Sequence, residues 1–261
     1  MSLAVTQLCK LRTSPTHCAT MSYLKIPLIL TAAFSNHVTL TSPQPPVAAR
    51  EIAVPPFAKV RSKMFRRLPE LNLVPQLIVW VACFCEVVTI LAYHNPTSAA
   101  AQNILSALSW TTTQDVMQIN ISPIFLFGWV ISVTGGLVRL SCYRTLGRFF
   151  TFQFAVRVEH RLITTGPYAW VRHPAYTSGI AETAGIAICL FSSGSWVRES
   201  GVLGTRWGSA IAWAWWIWDA YLVGSVCRRM THEDQILRKQ FGKYWDDWAA
   251  KVPYQLIPGV Y

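Results

Sequence analysis

Residues Leu73–Tyr93 read LVPQLIVWVACFCEVVTILAY, with one acidic and no basic side chain. A helix rises about 1.5 Å per residue, so about 20 apolar residues cross the hydrocarbon of a bilayer. This run predicts a transmembrane helix and sets the class of the fold. Outward from it, Ile121–Leu140 (ISPIFLFGWVISVTGGLVRL) predicts a second span, about Ser178–Ser193 a third and about Trp207–Val226 a fourth. The short segment Gly194–Arg206 separates the last two, which predicts a helical hairpin. Tyr23–Leu40 is a fifth, weaker candidate that holds Pro27, Asn36 and His37. The expected fold is an all-α integral membrane protein of about five transmembrane helices.

Composition agrees. The chain has 261 residues, 52% of them hydrophobic and 13% charged, and a mean hydropathy of +0.31. A soluble domain carries about 25% charged residues. The formal charge is nevertheless +11. Few charges with a basic excess argue against a disordered chain, an acidic soluble enzyme and a nucleic-acid binder. They fit a protein immersed in lipid with basic residues gathered at one face. The cysteines, 7 in number, lack C-x-x-C or zinc-ligand spacing; Cys83 and Cys85, inside an apolar run, read as small buried side chains.

Basic residues fix the expected orientation. Arg50, Lys59, Arg61, Lys63, Arg66 and Arg67 lie between the first two spans, and further Arg and Lys follow Leu140 and Val226. The loop His94–Asn120 has none. The positive-inside rule puts the basic loops and the C-terminus in the cytosol. Five spans then require the N-terminus on the far side, which Lys10 and Arg12 mildly oppose. Residues 42–70, rich in proline, read as a cytosolic linker. Lys25 with IPLILTAAF resembles a short signal peptide, but no small-x-small cleavage site precedes a polar domain, which favours an anchored helix. Met21 looks like a natural start, so residues 1–20 are expected to be a dispensable extension, 21–150 the N-terminal helices and linker, and 151–261 a C-terminal membrane region dense in polar residues. Gly135-Gly136, mid-span, predicts close helix packing rather than a nucleotide-binding turn.

Chemistry concentrates after about Gln153. Residues 166–179 read GPYAWVRHPAYTSG. Gly166-Pro167 signals a turn, and Pro174 suits the first turn of a helix. The free N–H groups of such a helix start would form an anion site. The rings of Tyr168, Trp170 and Tyr176 could hold a cation. A ligand with a carboxylate and a positive centre would suit this loop. A second cluster runs from Arg228 to Trp248, with Arg229 and Glu233 four apart on one helix face, where a plain surface ion pair is the simpler reading. Glu86 and Asp219 read as interhelix hydrogen-bonding groups. Glu182 reads as such a group or as lining for a substrate tunnel. The run Trp213–Tyr221 reads as lipid-facing and packing surface, with Trp245 and Trp248 on the membrane face of the last helix.

The order G-P-Y-x-x-V-R-H-P-x-Y, an apolar hairpin, R-x-x-x-E-D-x-x-L-x-x-x-F-G-x-x-Y-x-x-W and V-P-x-x-x-I-P resembles the isoprenylcysteine carboxyl methyltransferase family over Gln153–Pro258. The first 150 residues match only in being hydrophobic. The R-H-P-x-Y element alone also occurs in related membrane methyltransferases and sterol reductases. The resemblance implies methyl transfer from S-adenosyl-L-methionine to the C-terminal carboxylate of prenylated, CaaX-processed proteins, in the endoplasmic reticulum membrane with the site facing the cytosol. It implies cofactor contacts for Gln153, His160, Arg161, Leu162, Ile163, Tyr168, His173, Pro174, Ala175, Tyr176 and Glu233. It implies that Arg229 faces the substrate carboxylate. Ser178 departs from the usual Gly, and Glu233-Asp234 replaces a Glu pair. A phospholipid amine methyltransferase is the alternative; its nitrogen nucleophile gains nothing from an arginine at 229.

Overall fold

The computed structural model describes residues 22–45, 72–111, 118–152 and 161–260. The expected extension (1–20), most of the linker, Gln153 and His160 therefore lie outside the described residues. The elements are α1 (Lys25–Leu40), α2 (Leu73–Tyr93), α3 (Ala99–Ala107), α4 (Pro123–Leu146), α5 (Pro174–Phe191), α6 (Trp196–Glu199), α7 (Arg206–Phe241) and α8 (Lys243–Lys251). Among the described residues there is no strand. Among the described residues three segments are long and apolar enough to cross a membrane: Leu73–Tyr93, Pro123–Phe149 and Pro174–Glu199.

Local sequence starts these helices. Pro123 and Pro174 open α4 and α5, where a missing N–H costs nothing. The Ser122 hydroxyl accepts from the Phe125 N–H at 3.1 Å. Thr205 caps α7 through the Gly208 N–H at 3.0 Å. As expected, α7 continues from the apolar stretch into the polar cluster as one helix.

The tightest packing joins α4 to α5. A Cβ on Gly135 would fall 2.8 Å from the Glu182 nitrogen and the Ser178 carbonyl oxygen of α5, and one on Gly136 would strike Ser35 of α1. The glycine pair therefore sets helix approach, as the sequence suggested. Hydrogen bonds add direction. Ser35 donates to the Ser132 carbonyl at 2.8 Å. Glu182 accepts from Asn36 at 3.2 Å and Ser132 at 3.3 Å. Fully buried, Glu182 pins α1, α4 and α5 together and lines neither cavity described below, which corrects the tunnel reading.

The segments expected to form a hairpin, α5 and α7, follow one another through α6 and meet where the Phe191 and Trp216 rings stack with centroids 5.4 Å apart; farther along, an apolar cavity opens between them. Small residues let α4 nest on α5, whereas α7 carries exposed Trp213, Trp216 and Ile217. Asp219, half-buried on this outlying helix, makes no interhelix hydrogen bond among the described residues. Glu86 does bridge helices: its carboxylate meets Lys25 of α1 at 2.5 Å and accepts from the Trp196 N–H of α6 at 3.2 Å.

Candidate active site

The site forms where α4, the 161–173 segment, the start of α5, the polar part of α7 and α8 converge. Gly166 has φ +60, and a Cβ there would lie 3.0 Å from the Thr145 hydroxyl, so the Gly-Pro turn needs glycine. The turn presents Tyr168, buried against Cys142 and Trp248. Burial holds the Tyr168 phenol well above its ordinary range, so it stays protonated. The Trp248 indole N–H donates to the Tyr168 carbonyl at 3.3 Å. Trp248 is thus buried in the site wall, and Trp245 lies beneath the Arg172 guanidinium at 5.7 Å. This corrects the membrane-facing reading: α8 folds back after Gly242 (φ +53), turning both indoles inward.

The C-terminal tail occupies the backbone that was expected to bind an anion. The N–H groups of Arg172 and His173 donate to the carbonyls of Tyr254 and Gln255, both at 2.9 Å. Those of Tyr176 and Thr177 turn to the His173 carbonyl. The start of α5 is an anchor for the tail.

Asp234 organises that anchor. Its carboxylate lies 3.3 Å from Arg172 Nε, 3.0 Å from His173 Nε2 and 3.3 Å from Gln255 Nε2. One residue earlier, Glu233 points the other way and accepts from the Tyr176 hydroxyl at 2.6 Å. Arg229 stands 4.0 Å from Glu233 and donates through Nη1 to the Phe152 carbonyl at 2.6 Å. The i,i+4 pair is therefore loose, and both members have other partners.

A cavity of about 950 Å³, its open mouth included, is lined by Arg161, Leu162, Ile163, Tyr168, His173, Ala175, Tyr176, Arg229 and Glu233 among others. Of the expected contacts, Pro174 is buried at the helix start and does not line it. Trp170 is exposed on the surface. Ser178 donates to the Ala175 carbonyl at 3.0 Å inside the α4 contact, so it does not narrow the cavity. A second, largely apolar cavity of about 710 Å³ runs between α5 and α7, past Gly179, Ile180, Thr183, Leu222, Val223 and Val226. The two share a wall of Arg139, Phe152, Ala175, Tyr176 and Arg229.

Sequence reading missed Arg139, Phe152 and Trp248. An arginine one residue from the predicted end of a span reads as a snorkelling flank. Its signal was an ionisable group within an apolar run.

Residues 128–197 match the model of the isoprenylcysteine carboxyl methyltransferase family. Protein-S-isoprenylcysteine O-methyltransferase B of Arabidopsis thaliana is 28% identical over 49% of this chain and 56% of its own length. A probable protein-S-isoprenylcysteine O-methyltransferase of Oryza sativa subsp. indica is 25% identical over 64% of this chain and 85% of its own. The Dictyostelium discoideum protein-S-isoprenylcysteine O-methyltransferase is 25% identical over 64% of this chain and 63% of its own. These matches support the isoprenylcysteine carboxyl methyltransferase family. The chain spans little more than half the length of the Arabidopsis relative. No solved structure matches it significantly. The matched segment runs from Gly128 through the Gly-Pro turn and α5, and so takes in the α4–α5 contact and most of the shared wall.

Proposed function

We propose that this protein is a membrane methyltransferase that esterifies the C-terminal S-isoprenylcysteine carboxylate of prenylated proteins with the methyl group of S-adenosyl-L-methionine. The reading is carried by one observation: a cavity lined in part by charged side chains, called here the polar cavity, and a largely apolar cavity meet at a wall holding two guanidinium groups. A substrate with a long apolar tail and a terminal anion needs both spaces, and about 0.8 kcal/mol per buried CH₂ draws its tail into lipid. We place the protein in the endoplasmic reticulum membrane with the polar cavity facing the cytosol, and add α1 and the first part of α7 to the three apolar segments as spans.

The polar cavity suits S-adenosyl-L-methionine. Glu233 offers an anion, Arg161 a cation for the amino-acid carboxylate, and Tyr168, Phe150 and Trp248 aromatic surface; Leu162, Ile163, His173, Ala175 and Tyr176 complete the wall. Gln153 and His160 remain expected contacts. When bound, the cofactor supplies an electrophilic sulfonium methyl. The protein has little proton chemistry to do, because an α-carboxyl with a reference pKa of about 3.3–3.7 is already ionised. Its work is alignment, which contributes up to about 7–11 kcal/mol in well-oriented systems. Arg229 orients the carboxylate. Tyr176, held by Glu233, and the apolar wall exclude water. With the cofactor bound, the aligned carboxylate oxygen would take up the methyl carbon, the electron pair of the broken carbon–sulfur bond would stay on sulfur, and the products would be an ester and a neutral thioether.

The test is transfer of labelled methyl to N-acetyl-S-farnesylcysteine beside a phospholipid amine, in membranes holding the full chain. Methylation of the cysteine derivative alone is expected. Arg229→Ala should abolish it while S-adenosyl-L-methionine still binds; near-normal turnover in that variant removes the role given to Arg229. Methylation of the amine alone overturns the reading.

A further inference from the structure

Arg139 is the described cation that burial treats most oddly. It lies within the apolar segment Pro123–Phe149 and is 8% exposed. Its Nε donates to the Tyr143 hydroxyl at 3.1 Å and its Nη1 to the Ala175 carbonyl. The rings of Tyr143, Phe150 and Phe152 surround the guanidinium at 5.3–5.4 Å. No carboxylate lies within ion-pairing distance of it among the described residues. Every other buried or nearly buried cation described here has one: Lys25 has Glu86, and Arg172 has Asp234. Neutral acceptors and ring faces fix the direction of a guanidinium but leave its net charge in place. A buried charge without a counter-ion is unfavourable unless a ligand supplies one.

Its position says where that ligand comes from. Arg139 lines both cavities. With Nε and Nη1 held by α4 and α5, Nη2 has no acceptor among the described residues. The aromatic rings and the α4–α5 contact leave the group little freedom, which is what a binding residue on a rigid scaffold requires. Arg229, across the same wall, shares its charge with Glu233 and gives Nη1 to Phe152.

We propose that Arg139 receives the substrate carboxylate and is the residue that makes the site select an acid over its neutral analogues. The proposal rests on the functional reading above. Methylation converts the anion into a neutral ester, so the product loses its attraction to Arg139 and leaves, while a fresh acid is drawn in.

The test uses the full chain in detergent or nanodiscs and three ligands: N-acetyl-S-farnesylcysteine, its carboxamide, and S-adenosyl-L-methionine. The wild-type protein should bind the acid more tightly than the amide. Arg139→Gln should weaken the acid roughly 10–100-fold, the range for a hydrogen bond to a charged group. The amide and S-adenosyl-L-methionine should move by less than about threefold, in keeping with the smaller worth of a neutral contact. Arg139→Lys keeps the charge without the planar fork and should retain a weaker preference for the acid. An Arg139→Gln protein that loses acid and amide affinity equally shows a purely structural role and overturns the proposal. So does one that loses S-adenosyl-L-methionine with the acid preference intact, or a folded Arg139→Lys protein that treats acid and amide alike. A wild-type protein that binds S-adenosyl-L-methionine but neither farnesyl ligand overturns the functional reading, and the proposal with it.

Discussion

Two buried cations face each other's problem at opposite ends of the α1–α4–α5 bundle. Lys25, at the start of α1, is fully buried and completely partnered. It has the Glu86 carboxylate at 2.5 Å, the Gly194 carbonyl at 2.7 Å and the Phe125 ring at 4.5 Å. Arg139, near the other end of α4, is almost as buried, and its hydrogen-bond and ring partners among the described residues are all neutral. The first arrangement is closed: charge, counter-charge and hydrogen bonds cancel within the protein. The second is open toward two cavities. On the proposal for Arg139, compensation rather than burial separates architecture from function in this molecule.

Breaking the closed end should have the largest effect. Lys25→Met strands the Glu86 carboxylate, which costs about 3–5 kcal/mol in buried pairs. Chemical unfolding in detergent should show that loss, and Lys25→Met combined with Glu86→Gln should recover most of it, because glutamine still accepts from the Trp196 N–H. A single variant as stable as the wild type would mean that the pair does not hold α1, α2 and α6 together.

Asp234 sharpens the contrast from within the site. It is compensated like Glu86, by Arg172, His173 and Gln255, and so belongs to the architecture. Asp234→Asn should cost about 1.5–3 kcal/mol, the value of hydrogen bonds to a charged group. The readout is local. The Arg172 and His173 amides, held by tail carbonyls, should exchange hydrogen faster. Unchanged exchange would show that the tail is anchored without Asp234. Arg139→Met should cost less, about 1 kcal/mol, since it strands no charge and leaves neutral groups behind. Equal losses for Lys25→Met and Arg139→Met would erase the distinction between the two ends.

What the sequence made legible follows the range of the interactions. α2 came from an unbroken apolar run and the α4–α5 approach from Gly135-Gly136. The shared face of Arg229 and Glu233 came from a four-residue spacing on a helix that does continue. Each depends on neighbours a turn or two away. The anion site expected at Pro174 failed because the tail, some 80 residues on, takes up the Arg172 and His173 N–H groups. Arg139 was hidden for a similar reason: that no described carboxylate lies within ion-pairing distance of it is a property of the packed bundle. The apolar cavity depends on α7 diverging from α5 beyond the Phe191–Trp216 contact, which no local pattern encodes.

Trp248 gives the smallest and most local test. Sequence alone placed it toward lipid; the fold turns it inward, where its indole N–H meets the Tyr168 carbonyl at 3.3 Å and its ring lines the polar cavity. Trp248→Phe keeps an aromatic wall and removes one neutral hydrogen bond, worth about 0.5–1.5 kcal/mol. If Trp248 faces the cavity, the loss should show in the affinity for S-adenosyl-L-methionine as well as in unfolding, because the Gly-Pro turn that carries Tyr168 loses its support. Binding of the farnesyl ligand, whose tail lies in the other cavity, should be unaffected. A residue facing lipid would change none of these, so a Trp248→Phe protein indistinguishable from wild type in both stability and cofactor affinity would return α8 to the membrane face and detach it from the site.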